Sequence, residues 1–424
     1  MCLELGLDVT GLVFLPILVL VPHGIAPLES FAGVLAVGLV LQKGGVAGFR
    51  HLQLPAALLG TLLVWAIVST AWSVDPKHSL LITARMVGLF AAGLALAAAA
   101  DALACPRRLL ICFYVGFALA LVLILIQFAT DGLLTRPFVT RSFDASQLNQ
   151  ASDTLAILVL PASAGLVFHR RARLSFVLAV ATLMIIYGLV GTAAKIAVSM
   201  GMLLAALFYY SPRWMARLAA VLSVLIIITA PLTFARLARL EGITQTAQAI
   251  KFSAWHRLMI WSFAGDRIAE RPLSGWGLDA ARAIPGANEP LYAGRVWLQL
   301  HPHNAAIQLW LELGVPGAVL FALIVAWLWL GLAEARWPPL FTATVGAGLV
   351  TACLATIASY GIWQEWWIGT LWLSLFVIMV MLRCLPGSQR DRHGERSPSN
   401  PGGDGNPHRS NPADPALIDD RVGT

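Results

Sequence analysis

Residues 108–129 read RLLICFYVGFALALVLILIQFA, an apolar run whose only charge, Arg108, sits at its edge. A bilayer hydrocarbon core of about 30 Å requires roughly 20 such residues in helical form. Backbone polar groups find no water there, so the segment has to satisfy them itself, as a helix does. Runs of the same kind recur near 9–22, 27–42, 53–72, 79–100, 151–168, 174–192, 195–210, 216–233, 314–333, 340–360 and 366–384. The whole chain of 424 residues is 58% hydrophobic and only 12% charged, where soluble domains carry roughly 25% charged residues. The expected fold class is therefore all-α: a polytopic membrane protein with about twelve transmembrane helices. Pro16 interrupts the first run and no small-residue cleavage site follows it, so no cleavable signal peptide is expected.

The short loops give an orientation. One alternating set holds ten cations: Lys43, Arg50, Arg107, Arg108, Arg170, Arg171, Arg173, Arg213, Arg217 and Arg336. The opposite set holds four: Lys77, Arg136, Arg141 and Lys195. The positive-inside rule then places both termini in the cytoplasm. Four regions are expected: spans one to nine over 1–233, an outer loop over 234–304, spans ten to twelve over 305–384, and a tail over 385–424. The tail is rich in Pro, Gly, Ser, Asn and Asp with few large apolar side chains, the composition of a disordered extension. The five cysteines avoid the outer loops and form no Cys-x-x-Cys pair, so they read as small core filler rather than disulfides or metal ligands. No internal repeat is visible, which counts against a secondary transporter.

The outer loop is where polar chemistry concentrates. It carries Arg236, Arg239, Lys251, Arg257, Arg267, Arg271, Arg282 and Arg295, and ends in His301-Pro302-His303-Asn304. Charge is penalised by several kcal/mol at mid-bilayer, so a cationic outer loop closed by two histidines is the leading candidate for an active site, and its sign points to an anionic substrate. Within it, Phe252 to Arg271 reads as an amphipathic helix stopped by Pro272. At 100° per residue Arg257, Arg271, Arg267 and His256 share a wedge of about 100°, the pattern of a cationic stripe on the outer leaflet. Ser274-Gly275-Trp276-Gly277 is a tight turn. A short helix is expected from Asn304 to Leu313, with Val315-Pro316-Gly317 marking entry into the next span.

Three stretches together resemble the bacterial O-antigen ligase / O-antigen polymerase superfamily. The most specific runs from Arg257 and Trp261 through Arg271-Pro272-Leu273-Ser274-Gly275-Trp276-Gly277 to His301-Pro302-His303-Asn304 and Glu312-Leu313-Gly314-Val315-Pro316-Gly317. The others are Trp72-Ser73-Val74-Asp75-Pro76 and Asn149 before a span. The resemblance covers roughly residues 50–384. It implies a polytopic inner-membrane glycosyltransferase of the GT-C type that moves a glycan from undecaprenyl diphosphate to an acceptor hydroxyl on the outer side, without metal or other cofactor. The acceptor is lipid A–core in ligases and another lipid-linked repeat unit in Wzy-like polymerases. Of the family's residues, the outer-loop arginine falls on Arg257 and the essential histidine on His303. A second arginine falls on Lys195, a departure: lysine keeps the charge but lacks the planar fork that grips phosphate bidentately.

The residues fit that chemistry on their own terms. A departing diphosphate gains charge, which fixed cations stabilise with little reorganisation. No Asp-x-Asp or Glu-x-Asp pair occurs in the outer loops, so arginines are the available substitute. Arg257 is the first candidate, followed by Lys195, Arg141, Arg267 and Arg271. His303 is the candidate base, since an imidazole near pKa 6.5 takes a proton at neutral pH. His301, Asn304 and Glu312 are read as acceptor-side or structural residues, with Glu312 and Glu365 each expected to pair with an arginine. A zinc site needs three or four ligands, and the histidine pair has no evident partner. Trp363, Trp366 and Trp367 read as an interfacial belt, and Asp75 and Asp153 as helix caps. The function expected is an O-antigen ligase with glycan, acceptor and membrane lipid as partners and no nucleic acid. A polymerase is the first alternative, and a transporter or flippase of lipid-linked sugars the second.

Overall fold

The computed structural model describes residues 1–136, 142–292 and 294–385. Arg141 and the tail from residue 386 onward lie outside the described residues. Fourteen α-helices occur among those described. The first nine are α1 (Cys2–Leu20), α2 (Ile25–Gly44), α3 (Gln53–Ser69), α4 (Pro76–Ala102), α5 (Pro106–Ala129), α6 (Asn149–Phe168), α7 (Ala172–Gly188), α8 (Thr192–Tyr210) and α9 (Pro212–Ala238). Two loop helices follow, α10 (Glu241–Ile250) and α11 (Phe252–Glu270), then a small antiparallel hairpin of β1 (Pro290–Tyr292) and β2 (Arg295–Val296). The chain re-enters the bundle through α12 (Ala305–Glu334), α13 (Pro339–Ala358) and α14 (Glu365–Arg383).

Eleven of these helices are long and apolar enough to cross a membrane, and α7, at 17 residues, is the shorter twelfth. Each corresponds to one of the runs read from the sequence; the protein is an all-α, multi-pass membrane protein. Proline occupies the first turn of α4, α5, α9 and α13, where its missing N–H costs nothing. Asp75 caps α4 by accepting the His78 N–H at 3.2 Å. Helix α6 is the most enclosed span, whereas α9 leaves Leu218, Val221, Leu222 and Leu225 exposed. In lipid that outward apolar surface is the satisfied one.

The closest packing joins α12 to α9, α13 to α8, α1 to α5 and α2 to α4. Helix α11 is docked on α9 and α12 through Leu258, Ile260, Phe263, Ala264 and Ile268, rather than lying free on a leaflet as its cationic stripe had implied. Its hydrophobic face has protein to bury against.

The motif blocks that carry the family resemblance converge on one brace. α12 breaks at Gly314, whose φ of 62° and ψ of −157° lie in a region open essentially to glycine. The expected short helix before the span is therefore the first part of a kinked one. Against this kink the backbone of 272–277 docks edge to edge: Val315 N–H donates to Pro272 O at 3.0 Å, Trp276 N–H to Leu311 O at 3.0 Å and Gly277 N–H to Glu312 O at 2.9 Å. A Cβ on Gly275 would sit 2.3 Å from Glu312 O, and one on Gly314 2.4 Å from Leu273 O. The Trp72–Asp75 stretch closes the other side, with Trp72 Nε1 donating to Ser274 O at 3.1 Å and Val74 N–H to Trp276 O at 3.2 Å. Gly314→Ala is expected to cost more than about 3 kcal/mol through strain and overlap together. Size-exclusion chromatography in detergent should show little monodisperse protein; a wild-type yield would mean the kink is not needed.

Glu312 is the buried centre of this brace and, among the described residues, pairs with no arginine, contrary to expectation. It accepts Asp279 N–H at 2.8 Å, Trp363 Nε1–H at 2.6 Å and Gln308 Nε2–H at 3.0 Å. Three donors satisfy side-chain oxygens that have lost their water. Glu365 does pair as expected, with Arg85 at 2.6 Å. Trp363, Trp366 and Trp367 are buried at 4%, 4% and 0% exposure, so they are core and not an interfacial belt. Tyr360, in the loop after α13, packs on Trp366 and Trp367 with ring centroids 4.6 and 4.8 Å away.

Candidate active site

The His301–Asn304 turn lies where α11, α12 and the loop 359–364 meet. Trp261 Nε1 donates to Pro302 O at 3.0 Å and so pins the turn to α11. Arg257 is one helical turn earlier, on the same face as Trp261; the Arg-x-x-x-Trp spacing thus delivers a cation beside the histidines. Asn304 caps α12 by accepting Ile307 N–H at 3.1 Å, which makes it a structural residue here. Its Nδ2 is buried without a hydrogen-bond partner.

His303 has φ of +54°, a left-handed conformation that costs a non-glycine residue of order 1 kcal/mol or more and is held only by its surroundings. Its N–H donates to His301 Nδ1 at 3.2 Å, and its Nδ1 lies 2.8 Å from Ser359 O. A carbonyl oxygen only accepts, so the Nδ1 carries the proton. The neutral ring therefore presents an unprotonated Nε2. Burial pushes the His303 pKa below its usual value, and the nearby charges of Arg257 and His256 push the same way against the Ser359 hydrogen bond. Burial first, then His303, Arg282 and Arg257, brings His301 down to about 3. Its Nε2 faces the side-chain amide nitrogen of Gln364 at 3.3 Å. His301 thus orients its neighbour.

A cavity of about 220 Å³ opens beside His303, lined by Phe252, Ser253, His256, Arg257, Arg295 and His303. Arg257 is mostly buried, which works against its charge, while the Asp153 carboxylate favours it. Asp153 sits inside α6 and accepts the Tyr360 O–H at 2.5 Å; it is not a helix cap. Burial and Asp153 raise the Tyr360 pKa well above its ordinary value, so the phenol keeps its proton. Tyr360 adjoins Ser359, so one short loop fixes both the tautomer of His303 and the counter-ion of Arg257.

The other predicted cations are dispersed. Lys195 is half-buried on α8 and does not line the cavity, although Lys251, which precedes α11, reaches Thr192 one turn away at 3.1 Å. Arg271 stacks on Trp276 with its guanidinium 4.0 Å from the ring centroid. Arg267 pairs with Glu270 at 2.7 Å and lies over Phe263. Sequence reasoning counted Arg295 only among the loop cations, read Asp153 as a helix cap and passed over Tyr360. A carboxylate within an otherwise apolar span was the available signal for Asp153. Among the described residues no three His, Cys, Asp or Glu side chains converge as metal ligands.

Residues 174–322 match the family model described as O-Antigen ligase. The match runs from α7 into α12 and holds Lys195, Arg257, Arg295 and His303. Three rickettsial proteins, each named "Putative polysaccharide ligase", are similar across more of the chain. The one from Rickettsia conorii is 30% identical over 275 residues, 63% of this chain and 65% of that protein. The one from Rickettsia prowazekii is 28% identical over 329 residues, 76% of this chain and 78% of its own. The one from Rickettsia bellii is 25% identical over 324 residues, 75% and 77% of the two chains. The chain thus spans just under two thirds of the first relative's length. The family resemblance drawn from the residues is borne out.

Proposed function

We propose, from the match of residues 174–322 to the O-antigen ligase family model within a multi-pass membrane protein, that this chain is a GT-C-type O-antigen ligase. It transfers a glycan from undecaprenyl diphosphate to a hydroxyl of lipid A–core. The reading rests on one observation: His303, with Nδ1 committed to Ser359 O, shares a cavity with Arg257 and Arg295. In the step proposed, the acceptor oxygen attacks the anomeric carbon and its proton passes to His303 Nε2. The bond from that carbon to the diphosphate oxygen breaks, and the electron pair leaves with the diphosphate. Arg257 and Arg295 hold the growing charge with charge-assisted hydrogen bonds, and Lys195 and Lys251 add positive potential nearby. The excess of Lys and Arg in one set of short loops supports cytoplasmic termini in the inner membrane and a periplasmic site.

Purified protein given lipid-linked glycan and lipid A–core is expected to transfer glycan in excess chelator. Loss of turnover with chelator and its recovery on adding magnesium would overturn the metal-independent part of the reading. A deletion strain separates ligase from polymerase on a polysaccharide gel. Bare core with polymer retained on its carrier supports the ligase; a single repeat on the core makes the chain a polymerase.

The pH profile follows from His303. A base works unprotonated, and a lowered pKa keeps it so into acid. The expected kcat/KM is flat through neutral pH and falls only in acid, as His303 takes a proton. A fall centred above pH 7 would assign the base elsewhere.

A further inference from the structure

A second cavity, of about 380 Å³, lies further along α11 and is lined by Ser262, Phe263, Asp266, Arg267, Glu289 and Trp297, among others. Both cavities are lined by residues of α11. Seven and eleven residues separate His256 from Phe263 and Arg267, which at 100° per residue brings all three within about 40° of one another on the helix. The displacement from His256 to Phe263 is about 10.5 Å along the axis, a distance that a short oligosaccharide spans. On the facing chain, Arg295 lines the first cavity and Trp297 the second. They flank Val296, the last residue of the strand. His256 Nε2–H donating to Val296 O at 3.2 Å clips that segment to α11 between the two cavities.

The lining selects against a second phosphate. Asp266 and Glu289 bring two carboxylates, Arg267 is already paired with Glu270, and Asp266 is hydrogen-bonded by Arg239. Trp297 and Phe263 lie nearly parallel, with centroids 5.9 Å apart, and form an aromatic wall. Arg267 Nε is buried with no hydrogen-bond partner and remains a donor. An aromatic wall with a few convergent polar groups suits a ligand having apolar ring faces and hydroxyl edges. The geometry points to a subsite for an uncharged sugar ring, next to the reacting centre, with Trp297 as its platform and Glu289, Asp266 and Arg267 Nε as hydroxyl partners. This rests on the glycan-transfer reading, and the sugar belongs either to the acceptor or to the donor.

The test is binding without turnover. Full-length protein in detergent is titrated with two lipid-free probes, followed by saturation-transfer NMR: core oligosaccharide and repeat-unit oligosaccharide, both from the source bacterium. One probe is expected to bind wild type and His303→Ala alike, which identifies its source. Trp297→Ala should weaken it at least tenfold, and Glu289→Ala, an exposed position that leaves folding intact, at least fivefold. Inorganic diphosphate should not displace it. Failure of both probes, wild-type affinity in both variants, or displacement by diphosphate each overturns the subsite. Were His303→Ala to transfer normally while the Trp297 effect held, the catalytic reading would fall and the subsite would stand.

Discussion

His303→Ala is expected to lower glycan transfer by about 10²–10⁴-fold, the range that base assistance supplies, with protein level and melting temperature near wild type. The argument is one of geometry before pKa. Ser359 O fixes the proton on Nδ1, so Nε2 is free, and the ring borders the cavity that holds Arg257 and Arg295. The backbone contacts that hold the turn, from Trp261 to Pro302 O and through the Asn304 cap, do not use the His303 ring. Loss of the ring should therefore cost rate more than fold. His303→Gln is the sharper variant, because glutamine hydrogen-bonds but does not take up a proton near neutrality. Transfer by His303→Gln within threefold of wild type would reduce His303 to a hydrogen-bonding residue.

Arg257→Lys is expected to lower transfer by about 10²–10³-fold, the cost of removing one fixed donor to developing charge, although formal charge is conserved. Lysine presents a point charge on a flexible stem and loses the planar fork. At this position the loss is compounded by burial. Arg257 is mostly buried, feels the Asp153 charge and lines the cavity; an ammonium there is more strongly hydrated and costs more to desolvate. Arg295→Lys, at an exposed position, should have a smaller effect. Comparison of kcat for the two variants, at saturating lipid-linked donor, is the measurement. Equal, mild losses would mean that net positive potential alone serves the diphosphate.

What local pattern decides was legible in the chain. Twelve apolar runs appear as twelve helices because a segment of that length in lipid satisfies its own backbone bonds wherever its neighbours lie. The Asp75 cap, the helix from Phe252 and the short helix after Asn304 follow from residues within a few positions of one another. His303 and Arg257 were readable only as candidates, among the charges and imidazoles gathered outside the spans. Tertiary structure alone decided which cations share a cavity. It brought Arg295 to Arg257 and turned Arg271 onto Trp276. It gave Glu312 an indole and two N–H donors in place of an arginine, made Asp153 the acceptor of Tyr360, and buried the tryptophans near 363–367. Each of those outcomes depends on a partner far away in the chain, and a buried polar group takes whichever donor the fold supplies. Helix periodicity holds no record of that choice.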